Sequence, residues 1–155
     1  MKCIIYPGSI GGTINAPASK SYAQRAIFAA ALANETSVLN NFQFSDDIIH
    51  SLHNAINLGA EVRLYNNSLA ITGNVRTRSK KYYAGESGLT ARILSVLLTA
   101  FDGDQLLEGS GSLLTRPFDP VFEIYQQLDV TYESTNNKLP ISIGTLEAGL
   151  VNKKL

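Results

Sequence analysis

The sequence predicts an α/β protein built from two copies of a βαβαββ unit of about 70 residues. Segments with strand-like and helix-like patterns alternate, and the same order of elements occurs twice along the chain. Corresponding residues recur at a nearly constant separation, since Leu58 and Leu128, like Ile71 and Ile141, lie about 70 positions apart. Such units bury little surface alone, so we expect them to pack on one another with helices inside and sheets outside.

The first unit is predicted from apolar periodicity and from residues that begin or end helices. Ser45 suits a helix N-cap, Asp46 and Asp47 match the helix dipole, and Gly59 suits the C′ position. The predicted elements are, in order, a strand at 2–6, an extended piece at 13–16, a helix to about Ala33, a strand at 36–39, a helix at 45–58, and a hairpin of 61–65 and 68–72 joined by Asn66-Asn67.

The second unit repeats this order. Its predicted elements are a strand at 82–84, an apolar helix from Gly88 to about Phe101, a strand at 105–108, a helix from Pro117 (N1) to Leu128, and a hairpin of 130–134 and 139–143. The stretch GSGS at 109–112 lacks the Gly-Lys-Ser/Thr of a phosphate loop and is predicted to be a flexible connector. The basic run at 76–81 is predicted to be a solvated linker rather than a nucleic-acid-binding segment.

Composition narrows the functional classes. The 155-residue chain has a formal net charge of zero, which argues against a general nucleic-acid or membrane-surface binder. Cys3 is the single cysteine, which excludes an internal disulfide and favours a reducing compartment. No apolar run reaches the roughly 20 residues of a transmembrane helix, and the N-terminus lacks the layout of a signal peptide. We therefore expect a soluble cytoplasmic protein.

The start of the first helix places two cations where cations are unfavourable. Ser21 and Gln24 fit a capping box, with Ser21 as N-cap, so that Lys20 falls at N′ and Arg25 at N4. A positive charge at this end opposes the helix dipole by about 0.3–1 kcal/mol. A bound anion would reverse that penalty, and phosphate suits a helix N-terminus with Lys and Arg nearby. A solvated helix start that tolerates its charges is an equal alternative.

The second unit repeats the pattern. Gly88 falls where Ser21 does, Arg92 repeats Arg25 at N4, and Arg116 precedes the last predicted helix. Three helix starts with uncompensated cations predict a shared anionic ligand. The alternative, which the sequence leaves open, is that the arginines of the second unit form ion pairs with Asp46, Asp47 or Glu108 and tie the units together.

Four segments also carry a family resemblance, namely PASKSYAQRA, SDDIIHSLHNAINLGAEV, GESGLTARILSVLL and TRPFDPVFEIYQQLDV. In this order they resemble the first part of the 5-enolpyruvylshikimate-3-phosphate synthase family, and the SKS-x-x-x-R pattern separates them from the sister UDP-N-acetylglucosamine enolpyruvyl transferases. The resemblance implies an inside-out α/β barrel with three βαβαββ units per lobe. It also implies transfer of the enolpyruvyl group of phosphoenolpyruvate to the 5-hydroxyl of shikimate 3-phosphate, without metal or cofactor.

The resemblance further implies roles for individual residues. Lys20, Ser21 and Arg25 would hold shikimate 3-phosphate, and Lys20 would also reach phosphoenolpyruvate. Gly88 would offer its backbone to that second substrate, and Arg116 would clamp its phosphate or carboxylate. Three further residues are candidates for the site, namely Glu86, Arg92 and Asp47. Glu86 stands where the family commonly has Asn, which would weaken phosphoenolpyruvate binding unless Glu86 pairs with Arg92 or stays protonated.

Domain organisation follows from the same resemblance. Residues 1–12 would form a strand of the family's second lobe, 13–75 and 76–147 the two units, and 148–155 the start of a third unit. The catalytic Asp, Glu and Lys of the family would then lie outside this chain, so we expect it to bind substrate at most and to have negligible activity alone. The exposed edge left by a missing third unit predicts self-association.

Two other functions compete with this interpretation. The chain could be a non-catalytic anion-binding or self-assembling module, or a relative of the UDP-N-acetylglucosamine enzymes. His50 and His53, with Asp46 one turn earlier, have a spacing that could bind a metal. We predict an exposed polar helix face instead and no metal site, because Ile49, Leu52 and Ile56 form the apolar stripe.

Overall fold

The structure is a computed structural model that describes residues 2–66 and 68–146. The predicted start of a third unit at 148–155 and the turn residue Asn67 lie outside the described residues. The first half contains α1 (Lys20–Leu32), β1 (Thr36–Asn40), α2 (Asp46–Asn57), β2 (Glu61–Tyr65) and β3 (Ser68–Thr72). The second half contains β4 (Lys81–Tyr83), α3 (Gly88–Leu97), β5 (Gln105–Glu108), α4 (Asp119–Gln127), β6 (Tyr132–Thr135) and β7 (Lys138–Ile143).

The two halves share one sheet topology. In the first sheet β3 lies between β1 and β2 and runs antiparallel to both. In the second sheet β7 lies in the same way between β5 and β6, and β4 adds a parallel edge strand beside β5. Within the described residues no strand occupies the matching place beside β1. The α/β class is therefore confirmed, and the β1 edge lacks the additional strand that the second sheet has beside β5.

Helices pack between the two sheets, as predicted. The first core cluster joins α1 and α2 to the first sheet through residues such as Ile27, Ile48 and Ile71. The second joins α3 and α4 to the second sheet, and it also takes in Phe28 from α1 and Leu58 from the end of α2. These two side chains of the first half are 2% and 0% exposed, so burial of apolar surface holds the halves together.

Helix α2 has its predicted cap and terminator, but the predicted apolar stripe is wrong in part, since Ile49 and Ile56 are 39% and 38% exposed and Ile48 is buried instead. Ser45 is the N-cap and accepts a hydrogen bond from the Ile48 N–H at 3.4 Å. Asp46 and Asp47 occupy the first turn, and Gly59 follows the helix with a φ of 112°, a value that L side chains rarely adopt. Within the described residues no helix has both the length and the apolar character needed to cross a membrane.

Helix α1 starts two residues earlier than the capping-box pattern predicts. The N-cap is Ser19, whose hydroxyl accepts from the Tyr22 N–H at 3.3 Å, so the assignment of this role to Ser21 is wrong. The reason is a tertiary contact. Gln24 is 1% exposed and its amide donates to Ser87 and Thr90 at the start of α3, whereas a capping box requires its side chain to accept from the Ser21 N–H. In this frame Lys20 is the first helical residue.

Four other predicted elements differ. Residues 2–6 form no strand, because no described strand lies beside them to accept their backbone hydrogen bonds. The connector after β5 instead forms a 3-10 helix (Gly111–Thr115), and α3 continues as a 3-10 turn (Leu98–Ala100). Helix α4 begins at Asp119 with Pro120 in its first turn, so Pro117 is not N1.

Candidate anion-binding site

The N-termini of α1, α2 and α3 meet at an open cleft of about 260 Å³. Helices α1 and α2 come from the first half and α3 from the second, so the cleft exists only where the halves pack together. Its lining residues are Lys20, Ser21, Gln24, Asp47, Glu86, Ser87, Gly88, Leu89, Arg92 and Arg116. Seven of the eight candidate residues predicted from sequence are in this set, and Arg25 is not.

The backbone at the start of α3 forms one wall of the cleft. Ser87 is the N-cap and accepts from the Thr90 N–H at 3.2 Å. Gly88 is the first helical residue and is buried. A Cβ placed on Gly88 would lie 2.9 Å from Nη1 of Arg92 and 3.1 Å from Nη1 of Arg116. Two guanidinium groups therefore lie directly against the positive end of this helix, at a position where a larger residue would displace them.

The charges of these two arginines are not neutralised. Among the described residues neither has a carboxylate within ion-pair distance, so the alternative that they pair with Asp46, Asp47 or Glu108 is wrong. Nη1 of Arg92 donates to the Gly88 carbonyl at 3.2 Å, and its guanidinium lies 5.8 Å from the centroid of the Phe118 ring. Two free cations and a helix dipole make this wall of the cleft a place for an anion.

Lys20 faces this wall from α1 and is held differently. Its Nζ lies 2.6 Å from Oδ2 of Asp47, in the first turn of α2. The Lys20 side chain is 55% exposed and that of Asp47 is 19% exposed, so the pair is weak and open to exchange with solvent ions. Lys20 can therefore turn to an anion in the cleft at little cost.

Arg116 is positioned by the short 3-10 helix that precedes it. Its Nη2 donates to Oγ of Ser112 at 3.2 Å, and its backbone N–H donates to the Leu113 carbonyl at 3.1 Å. Oε2 of Glu86 in turn accepts from the Ser112 N–H at 3.0 Å. Gly111 makes room for this carboxylate, since a Cβ there would collide with it. No sequence pattern predicted that Ser112 would link Glu86 to Arg116.

Glu86 thus neither pairs with Arg92 nor stays protonated. Hydrogen bonding to Ser112, with a smaller contribution from the Arg116 guanidinium, holds the pKa of the Glu86 carboxyl below its ordinary value. Glu86 therefore carries its negative charge at neutral pH. Neither condition under which Glu86 would leave phosphoenolpyruvate binding unaffected is met, and a charged carboxylate lies on the rim of the cleft.

Arg25 lies beside the cleft rather than in it. It is the sixth residue of α1, whereas Arg92 is the fifth residue of α3, so the predicted equivalence of these two arginines is wrong by one position. One position turns a helical side chain by about 100°. Arg25 lines a neighbouring groove between α1 and β1, while its Nη1 reaches back to the Ser21 carbonyl at 3.4 Å.

A buried polar cluster beneath the cleft was not predicted. Nε2 of Gln24 donates to Oγ of Ser87 at 2.7 Å and to Oγ1 of Thr90 at 2.8 Å, and Thr90 contacts Ser51 of α2 at 3.0 Å. These bonds fix the three helix starts relative to one another. The sequence carries little signal for this cluster, because Gln24 lies in the polar N-terminal part of α1, beside Lys20, Ser21 and Arg25.

Comparison with known proteins identifies the family. The family described as EPSP synthase (3-phosphoshikimate 1-carboxyvinyltransferase) matches residues 5–155. A 3-phosphoshikimate 1-carboxyvinyltransferase of Clostridium beijerinckii is 34% identical over 155 residues, which cover 94% of this chain and 36% of the relative. One of Clostridioides difficile is 33% identical over 151 residues, which cover 90% and 35%.

A solved structure shows the same likeness. EPSP synthase from Acinetobacter baumannii superposes with a TM-score of 0.78 and 25% sequence identity, over 86% of this chain and 32% of that one. The chain spans about 36% of the length of the curated relatives that it matches. The family match covers nearly every residue, and the chain belongs to the EPSP synthase family.

Proposed function

We propose that this chain is the N-terminal, substrate-binding part of a transferase that moves the enolpyruvyl group of phosphoenolpyruvate to the 5-hydroxyl of shikimate 3-phosphate. One observation carries the proposal. Arg92 and Arg116 lie unpaired against Gly88 at the start of α3, and Lys20 faces them from α1. Both substrates are anions, and a phosphate or carboxylate in this cleft would neutralise these charges.

In this proposal each wall of the cleft binds one of the two substrates. Lys20 and Ser21 would hold shikimate 3-phosphate from the α1 side, and Arg25 would approach it from the neighbouring groove. The start of α3 would receive phosphoenolpyruvate, with the Gly88 backbone against it and Arg116 clamping its phosphate or carboxylate. Holding the two substrates side by side removes much of the entropic barrier to their reaction.

We also propose that the chain binds these substrates without turning them over. Transfer needs a general acid and base within hydrogen-bond reach of the reacting groups. Among the described residues the carboxylates that line the cleft are Asp47 and Glu86, and each is already engaged, with Lys20 and with Ser112 respectively. A cytoplasmic location, which the single cysteine favours, stays a prediction.

Calorimetric titration with shikimate 3-phosphate, in the presence and absence of phosphoenolpyruvate, tests the proposal. We expect measurable binding that weakens about tenfold or more in Lys20→Ala, because a charge-assisted hydrogen bond is lost. Arg78→Ala is the matched control, since it removes an exposed cation outside the cleft. Equal binding by the two variants, or none by the unmodified chain, would contradict the proposed binding site. Phosphate release at the rate of an ordinary enzyme would contradict binding without turnover.

A self-assembling module is the second candidate, and the open sheet edge favours it. A groove of about 990 Å³, lined mainly by apolar side chains, runs between α1 and β1 on this edge. Several exposed apolar side chains precede α1, among them Ile5 and Ile10, which are 87% and 101% exposed. A second copy would cover such surfaces. Size-exclusion chromatography should show a dimer, and a monomer at high concentration would refute self-association.

A further inference from the structure

The N-cap serine of α3 is among the most deeply buried polar residues of the cleft. Ser87 is 4% exposed, yet it lines the cleft beside Gly88 and the two unpaired arginines. A hydroxyl group has one proton to donate and two lone pairs to accept with. Its contacts therefore determine what the group can still offer to a ligand.

Both lone pairs of the Ser87 hydroxyl are occupied. The Thr90 N–H donates to Oγ of Ser87 at 3.2 Å, and Nε2 of Gln24 donates to the same oxygen at 2.7 Å. Both partners are N–H groups, which cannot accept a hydrogen bond. The remaining capacity of Ser87 is its own O–H, and among the described residues that proton has no acceptor.

Neighbouring hydrogen bonds fix the orientation of Gln24, on which this reasoning depends. Ser51 donates its proton to the Asp47 carbonyl at 2.8 Å, so in its 3.0 Å contact with Thr90 it must accept. The Thr90 hydroxyl then donates to Ser51, so toward Gln24 it can only accept a hydrogen bond. The amide nitrogen, not the amide oxygen, must therefore face the two hydroxyls, which makes Gln24 a donor to Ser87.

We propose that Ser87 is a binding residue of the cleft, whose hydroxyl donates a hydrogen bond to a phosphate oxygen of the ligand held at the N-terminus of α3. The inference rests on the proposed function of the cleft as an anion site. It adds a neutral, buried donor to the cations and the backbone, and it makes Gln24 the positioning residue that aims this donor. A phosphate oxygen at this position would accept the one hydrogen bond that the Ser87 hydroxyl can still donate.

A glycine substitution at position 87 tests the proposed donor role of Ser87 separately from its role as the N-cap of α3. Glycine is accepted at N-cap positions almost as well as serine, so Ser87→Gly removes the hydroxyl and leaves α3 with a tolerated start. Ser19→Gly makes the same change at the cap of α1, where the serine is exposed and does not line the cleft. Ser87→Thr restores a hydroxyl at the tested position.

The experiment is titration of the full chain with inorganic phosphate, followed by calorimetry or ³¹P NMR, with a melting curve for each variant. We expect Ser87→Gly to bind phosphate about 10- to 100-fold more weakly, as for the loss of a hydrogen bond to a charged group. Ser19→Gly and Ser87→Thr should stay within about threefold of the unmodified chain, since neither removes a donor from the cleft.

Equal phosphate binding by Ser87→Gly and Ser19→Gly would overturn the role of Ser87 and leave the proposed function standing. No phosphate binding by the unmodified chain would instead overturn the anion site itself.

Discussion

The starts of α1 and α3 occupy equivalent places in the two halves and both have a serine N-cap, yet the positive side chains beside them are held differently. At α1 the cation is Lys20, exposed and already paired with Asp47. At α3 the first residue is the buried Gly88, and two guanidiniums lie against it without a carboxylate. The duplicated fold therefore supplies one cation that is paired with a carboxylate and two cations that have no ion-pair partner among the described residues.

This difference follows from what each half contributes beneath the helix start. Asp47 reaches Lys20 because α2 starts beside α1 in the same half. The corresponding helix of the second half, α4, starts with Asp119, which accepts from the side chain of Asn137 at 2.7 Å. That carboxylate is used in the hairpin, so the arginines of the second half keep their charge for a ligand.

The largest effect should come from separating the halves. Phe28 belongs to α1 but is 2% exposed within the core of the second half. Phe28→Ala should lower the free energy of unfolding by about 3–5 kcal/mol. Denaturant titration measures this loss. Tyr22→Ala is the control on the same helix, because Tyr22 is 74% exposed and should change stability by less than about 0.5 kcal/mol. Similar losses for both variants would mean that Phe28 does not bridge the halves.

A substitution at the start of α3 should weaken anion binding without unfolding the chain. A Cβ in Gly88→Ala would fall 2.9 Å and 3.1 Å from the guanidiniums of Arg92 and Arg116, whose flexible ends can move aside. We expect phosphate affinity to fall about 10- to 100-fold, since both charges are displaced, and the melting temperature to change little. Calorimetry and a melting curve test the two parts, and unchanged affinity would place the anion elsewhere.

Alkaline pH should weaken the packing that fixes α3 but not α1. Burial raises the pKa of Tyr125, whose hydroxyl donates to the Ser95 carbonyl of α3 at 2.6 Å. Because the folded pKa exceeds the unfolded value of about 10, the stabilisation is complete below pH 10 and is lost as the pH rises above it. Tyr125→Phe should lose about 1 kcal/mol at neutral pH and show a smaller alkaline decline. Parallel pH profiles for the two proteins would contradict this account.

The smallest effect concerns the carboxylate on the rim. Glu86→Gln keeps an oxygen for the Ser112 N–H and removes the negative charge. Phosphate should then bind up to about fivefold more tightly, because charge repulsion near the surface amounts to about 1 kcal/mol or less. The gain should shrink at high salt. Weaker binding by this variant would show that the charge itself, rather than the hydrogen bond, orders the loop that carries Arg116.

Local signals predicted most of the fold correctly. Strands β2, β3 and β5 match their predicted bounds, and α2 has the predicted cap and terminator, because alternation, caps and glycine positions act within a few residues. The repeat also predicted that cations from different helices would meet, and Lys20 and Arg116 do line one cleft. The roles of the individual site residues stay predictions.

The wrong predictions concern segments whose local structure depends on contacts with residues far away in the sequence. Gln24 fits a capping box with Ser21 in sequence, but its side chain bonds to Ser87 and Thr90, 63 and 66 positions away. With this contact α1 begins at Lys20 instead of Tyr22. Arg25 is therefore the sixth residue of its helix and does not correspond to Arg92, the fifth residue of α3. Residues 2–6 have strand-forming side chains, but strand formation also needs a neighbouring strand, which no local pattern can report.

The central claim is that helix starts from both halves form one anion site centred on α3. Backbone ¹H–¹⁵N chemical shifts during titration with inorganic phosphate test it most directly. We predict that the largest shifts occur at the Gly88 and Leu89 amides, with smaller ones at Lys20 and Ser21. Shifts confined to the exposed basic run at 76–81, with Gly88 unchanged, would contradict the claim.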